Sequence, residues 1–220
     1  MVSYIVSMNN KVVLTIGSVV AILIFLIVAY KLTNVATPVM FPEVSKLSAT
    51  DHLKWSADKK NILVEYSDLQ CPACKSFYDL IKANLENTDI PKKVTFVYRH
   101  FPLNIHEHGQ EAAQAAEAAG QQNKFFEYAD VLFNTQDQWG KPGNMTPYFE
   151  QVAKDLKLDL EKFKTDKDSP AVKDRINADV VSGNKFQVNA TPTFYLNGEK
   201  LELSSLSAFD DFKKRLLELK

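Results

Sequence analysis

The sequence predicts an α/β fold: a small mixed sheet with a block of helices inserted between its two halves, preceded by one N-terminal transmembrane helix. Three observations predict it. Val12 to Tyr30 reads VVLTIGSVVAILIFLIVAY, without a charge. Two short apolar runs, Ile62–Tyr66 and Val94–Tyr98, flank a stretch with apolar residues at helical spacing, and two more short runs meet at Asn197-Gly198. Between these halves, from about 106 to 186, the chain turns rich in residues that favour helix.

The apolar run comes first. As a helix rising 1.5 Å per residue it spans about 28 Å, against a hydrocarbon core of about 30 Å. A buried globular helix is rarely apolar on every face. A cleaved signal peptide would carry a shorter apolar region with an A-x-A-like site behind it. Ala29-Tyr30-Lys31 is a poor site, and no Cys follows closely to take a lipid. Residues 1–31 therefore read as an N-terminal segment and signal anchor. Lys11 and the α-amino group balance Lys31 and Lys46, so the positive-inside rule does not orient it. Residues 32–45, with Pro38 and Pro42 and no clear period, read as a linker. The folded domain is expected over 46–220.

Within that domain His52-Leu53-Lys54-Trp55 reads as a short strand and Asp58-Lys59-Lys60 as a turn. Ile62–Tyr66 is a buried strand by its length and composition. A helix is expected after Ser67, because Phe77, Leu80, Ile81 and Leu85 share one face. Val94–Tyr98 is the next strand, parallel to the one before. Three to five helices fill 106–186, with Thr146-Pro147 and Ser169-Pro170 as start signals. Thr193–Leu196 and Lys200–Leu203 form a hairpin across Asn197-Gly198. A last helix, about Leu206–Leu219, turns Phe209, Phe212, Leu216 and Leu219 inward.

Composition bounds the function. The 220 residues carry a net charge of −1, which gives no global case for binding nucleic acid. Two cysteines cannot build a disulfide-rich scaffold or a four-thiolate metal site. They stand as Cys71-Pro72-Ala73-Cys74. A zinc reading of this pair needs a second pair of ligands, and His106 and His108 do not have the spacing for it. A structural disulfide here would close a tiny loop, where the entropic gain is smallest. The redox reading fits the context. The motif follows a strand and opens a helix, so Cys71 meets the free N–H groups and the positive end of the dipole, which favour a thiolate. Cys74 lies one turn inside, within reach of Cys71. Pro72 suits the first helical position.

At these residues the chain resembles the DsbA-like branch of the thioredoxin superfamily, and its membrane-tethered, BdbD-like members in particular. The resemblance rests on EYSDLQCPACKSFY (Glu65–Tyr78), VYRHFPL (Val97–Leu103), EAAQAAEAAG (Glu111–Gly120) and VNATPTFYLNG (Val188–Gly198). It implies a thioredoxin fold with a helical insertion. It implies Cys71 as the nucleophile and Cys74 as the resolving thiol. Pro192 falls at the family's cis-proline, with Thr191 offering its backbone to an extended substrate peptide as in strand addition. Glu65 falls at a buried acid beneath the redox pair that handles the proton of the resolving thiol. Asp68 reads as a turn or capping residue, and His100, His106 and His108 as solvated or capping. The family's best-known member has Pro-His between its cysteines. Ala73 cannot give the help that His gives, so a less extreme thiolate is expected here.

The function that follows is a thiol–disulfide oxidoreductase that introduces disulfides into exported proteins. It has no cofactor and no metal, and it needs a membrane partner to reoxidise its dithiol. Oxidising chemistry belongs outside the cytoplasm, so the domain is expected on the extracytoplasmic side of the cell membrane. A reductase or isomerase of the same fold is the alternative, although an isomerase usually needs a dimerisation module and none is read before residue 45. A chaperone or metal-binding module is the non-enzyme alternative, and the intact Cys-x-x-Cys with Pro192 argues against it.

Overall fold

Among the described residues five strands form one mixed sheet in the order β1-β3-β2-β4-β5. They are β1 (His52–Trp55), β2 (Ile62–Ser67), β3 (Thr95–His100), β4 (Thr193–Leu196) and β5 (Glu199–Leu201). Only β2 and β3 run parallel; the other pairs are antiparallel. The computed structural model describes the backbone of residues 10–33, 38–203 and 206–220, and their side chains except 10–14, 28, 31–33, 206 and 207. The chain divides into two units, Met1–Pro38 and Val39–Lys220.

The first unit contains helix α1, Asn10–Thr33. Among the described residues no helix is long and apolar enough to cross a membrane. The anchor expected at Val12–Tyr30 falls partly outside the described side chains.

In the second unit, β2 is buried along its whole length, as its unbroken apolar run requires. Its two faces serve two cores. Leu63 faces Phe96, Phe194 and Leu196 together with helices α2 (Pro72–Asn84) and α10 (Leu206–Leu217). Phe209, Phe212 and Leu216 of α10 are buried there, while Leu219, past the helix end, is partly buried against them. Val64 and Tyr66 face the opposite core with Val44, Val97, Phe186 and Tyr195. Asn197 and Gly198 both have positive φ, 51° and 89°, which the turn between β4 and β5 requires.

The tether expected over 32–45 is shorter than its composition implies. Residues from Val39 onward belong to the domain. Pro42–Ser45 forms a 3-10 turn that buries Val44 completely, and Phe41 packs edge-on against Phe186 and Tyr195. Tertiary burial of two apolar side chains overrides the local proline signal.

Between β2 and β3, α2 is followed by a short α3, Ile90–Lys93. Among the described residues the insertion holds six helices, one more than the upper expectation. They are α4 (Gly109–Gly120), α5 (Phe125–Asn134), α6 (Gln136–Trp139), α7 (Thr146–Asp155), α8 (Leu160–Lys167) and α9 (Pro170–Lys185). The extra one is α6, a single turn set by burial of Trp139, whose indole N–H donates to the Leu132 carbonyl at 2.9 Å. Side chains of Asp159 and Ser169 cap α8 and α9.

A buried ionic cluster joins the insertion to the sheet. Arg99 of β3 donates to both oxygens of Asp51 at 3.0 Å and to the Val44 and Lys46 carbonyls. Arg175 of α9 holds Asp179 at 2.5 Å and donates to the Thr50 carbonyl at 2.8 Å. Asp179 in turn accepts from the His100 backbone N–H at 2.9 Å.

Candidate active site

Cys71 is the N-cap of α2 and Pro72 its first helical residue. The chain enters this position because β2 ends at Ser67 and Asp68 turns it. The Asp68 carboxylate accepts from the backbone N–H of Gln70 and Leu103 at 2.8 Å each and lies 2.6 Å from His106 Nδ1. Its carbonyl accepts from Cys71 N at 3.0 Å. The turn role read for Asp68 is thus joined by a buried anchoring role that links the cysteine loop to the segment after β3.

The loop is also held from the insertion. Gln136 of α6 donates to the carbonyls of Leu69 and Cys71, at 2.8 and 3.1 Å. Gln70 accepts from His108 N and donates to the Gly140 carbonyl. Sequence reasoning missed Gln70 and Gln136, since an amide side chain near a turn carries no distinctive pattern. Of the histidines read as solvated or capping, His108 does stand at the N-cap of α4, though without a side-chain cap bond, and all three side chains are engaged elsewhere. His106 meets Asp68, His108 Nε2 lies 2.9 Å from the Lys141 carbonyl, and His100 is buried in the sheet.

The two sulfurs sit in different surroundings. Both cysteines are free thiols. Cys74 is fully buried, with Asp68 N donating to its Sγ at 3.4 Å. Cys71 retains 6% exposure, and its Sγ lies 3.4 Å from the Thr191 carbonyl oxygen. The Cys71 thiol is pushed down to about 5, first by a hydrogen bond from the Cys74 thiol. Burial opposes this, while the backbone N–H groups of Cys74 and Ala73 at the helix start assist it. Cys74 is pushed far up by burial, then by its bond to Cys71 and by the charge of Glu65. Ala73 itself is exposed and brings only its backbone.

Glu65 stands on β2 opposite Tyr98 and Phe194. Burial pushes its carboxyl up to about 7, against the Ser67 hydroxyl and the Lys54 charge, which lower it. A narrow cavity of about 20 Å³ lies beside it, lined by Lys54, Tyr78, Tyr98, Phe126 and Asp130 among others. That is room for about one water molecule between the acid and two partly exposed charged groups.

Thr191-Pro192 is a cis peptide bond. Among the described residues the Thr191 N–H has no hydrogen-bond partner. An open groove of about 340 Å³ starts beside it, between Phe77, Asn189, Pro192, Phe194 and Leu201. On the other side of Pro72 a second hollow is lined by Gln70, Lys75, Gln136, Asp137 and Lys141. The fold thus brings Cys71, Cys74, Glu65, Thr191 and Pro192 to one end of β2. The arrangement suits exchange between the Cys71 sulfur and a peptide lying along Thr191.

Fold and site define a thioredoxin-superfamily protein with a Cys-x-x-Cys exchange pair. The profile of the thioredoxin family, described as "Thioredoxin", matches residues 49–215. The chain belongs to that family. Its structure is similar to alpha-DsbA1 of Wolbachia pipientis, with a TM-score of 0.66 and 22% identity over 80% of this chain and 94% of that one. It is equally similar to oxidised BdbD of Bacillus subtilis, with a TM-score of 0.66 and 20% identity over 84% of this chain and all of that one. In sequence it is 33% identical over 175 residues to the Na(+)/H(+) antiporter NhaA 3 of Salinispora tropica, covering 75% of this chain and 26% of that protein. The chain spans about a quarter of the length of the curated relatives it matches.

Proposed function

We propose that the chain is a thiol–disulfide oxidase of exported proteins, tethered to the cell membrane with its domain on the extracytoplasmic side. The observation that carries the reading is the asymmetry of the two thiols. A Cys71 thiolate favoured at the helix start stabilises the dithiol form, and a couple whose dithiol is stabilised is a strong oxidant. The anchor is supported by the uncharged run Val12–Tyr30 and by Ile22 and Phe25, which are 58% and 70% exposed.

In the reaction, the oxidised pair meets a substrate dithiol laid along Thr191 and Pro192. A substrate thiolate attacks Cys71 Sγ, the Cys71–Cys74 bond breaks, and Cys74 leaves with the electron pair. Cys74 is too buried to remain charged, so it takes a proton, and Glu65, whose carboxyl burial raises to about 7, is the donor we propose. The second substrate thiolate then attacks the substrate sulfur of the mixed disulfide. It closes the substrate's disulfide and expels Cys71 as a thiolate. Two electrons have passed to the pair, and a membrane redox partner removes them.

Equilibration with glutathione buffers tests the direction. The oxidase reading expects a potential above about −220 mV, on a scale where thioredoxin lies near −270 mV. A value near thioredoxin's would instead make the chain a reductase. A Cys74→Ala variant is expected to accumulate mixed disulfides with substrates and with the membrane partner, and Cys71→Ala to trap almost none. The reverse pattern on non-reducing gels would exchange the roles of the two thiols.

A further inference from the structure

Away from the cysteines, three side chains converge at the junction of β1, β3 and α4. His52 Nε2 and His100 Nε2 lie 2.9 and 3.1 Å from the same oxygen, Glu117 Oε1. Their ligand atoms all fall within 4.8 Å of one another. Tetrahedral zinc with bonds of about 2.0–2.1 Å needs donor atoms about 3.3 Å apart. The His100 side chain is 1% exposed. Among the described residues its Nε2 has no hydrogen-bond partner of good geometry, although the carboxylate oxygen is so near. It is a buried polar atom aimed into the cluster without a directed partner.

The rings are fixed in place. His52 stacks on Phe125 with centroids 3.4 Å apart, and His100 meets Tyr98 and Phe125 edge-on. Gly120 makes room for the first of these, since a Cβ there would stand 3.0 Å from His52 Cε1. Glu117 also borders the buried ionic cluster in which Asp51 and Asp179 face Arg99 and Arg175. The nearest guanidinium, Arg175, stays 4.0 Å from Glu117 and is committed to Asp179 and the Thr50 carbonyl.

We propose that His52, His100 and Glu117 form a zinc site that fastens the helical insertion to the sheet. Two imidazoles and one carboxylate suit Zn²⁺ and not the oxygen-seeking Ca²⁺. His52 is the partly exposed ligand and the side from which metal and a fourth, water ligand enter. Because the three donors come from separate elements, the metal adds its binding energy to the fold.

The test uses the full chain in its disulfide form, so that the cysteines cannot take the metal. After treatment with chelator, Zn²⁺ is expected to bind one per chain by calorimetry. The midpoint of thermal unfolding should rise by about 5–10 °C at free zinc a hundredfold above Kd. Ca²⁺ at the same concentration should leave it unchanged. His52→Ala and Glu117→Gln should each weaken zinc about 100-fold, while a Cys71→Ser/Cys74→Ser variant binds as the parent does. Should either ligand variant fold poorly, Co²⁺ added to the unaltered chain must give the visible absorption of a tetrahedral nitrogen–oxygen site. No zinc uptake, a rise with Ca²⁺ alone, undiminished binding by either variant, or a Co²⁺ spectrum of octahedral type would overturn the proposal.

Discussion

Two glutamates are buried to almost the same degree, Glu65 at 6% and Glu117 at 2% exposure, and they behave in opposite ways. Glu65 sits under the cysteine loop, where burial lifts its carboxyl to about 7 against weak opposition from Ser67 and Lys54. Glu117 feels burial too, but the two histidines beside it more than cancel that effect and hold it far below the usual carboxylate range. The cluster around Glu117 is built to hold charge. The site around Glu65 is built so that charge can come and go. On the proposed mechanism the same residue type serves as a fastening in one place and as a proton-exchanging group in the other, and only the neighbours differ.

The largest expected effect lies in the fastening. Asp51→Ala leaves Arg99 buried without its bidentate partner, which should cost about 3–5 kcal/mol of stability. Urea unfolding at constant m-value measures it. A cost below about 1 kcal/mol would put this cluster in the class of surface pairs and erase the contrast.

Glu65→Gln should act in the opposite sense. A carboxyl with an ordinary value of 4.5 unfolded and about 7 folded binds its proton more tightly in the native state. Its contribution is therefore fully present below pH 4.5 and is lost as pH rises through 7. Glutamine has no proton to lose, so the variant should match the parent at pH 4 and exceed it by about 3 kcal/mol at pH 8. At the same time it should slow release of Cys74 in thiol–disulfide turnover. Stability curves that stay parallel across this range would show that Glu65 is paired in a way that the geometry does not reveal.

The smallest effect belongs to Lys54→Met. Lys54 is half-turned to Glu86 at 3.1 Å and still lowers Glu65 through its charge. Without it, the pH at which the parent loses stability relative to the Glu65→Gln background should move upward. No movement would mean that solvent in the cavity screens the pair completely.

What the sequence made legible follows the same division. Strands β2 and β4 and helix α2 were readable because their signals are local: an unbroken apolar run, an Asn-Gly turn, a proline behind a cysteine. Cys71 and Cys74 stood out through their own motif, whereas Glu65 and Pro192 were singled out by the resemblance to the DsbA-like proteins. The packing of Phe41 and Val44 was not readable, since two prolines locally announce a linker and only contacts with Phe186 and Tyr195 decide otherwise. Nor was the meeting of His52, His100 and Glu117, which lie on three elements and share no spacing. Gln136 was invisible for a similar reason, as its partners are backbone carbonyls about 65 residues upstream.

The central claim is that the fold makes Cys71 a thiolate at neutral pH while keeping Cys74 a thiol. Absolute alkylation rate is a poor gauge, because nucleophilicity falls as the pKa falls and offsets much of the gain in thiolate fraction. The shape of the pH profile is decisive. In the dithiol form, the rate of Cys71 alkylation should reach half its plateau near pH 5 and stay flat above about pH 6, with Cys74 unmodified throughout. A half-point near the free-thiol value of about 8.5, or modification of Cys74 first, would contradict the account.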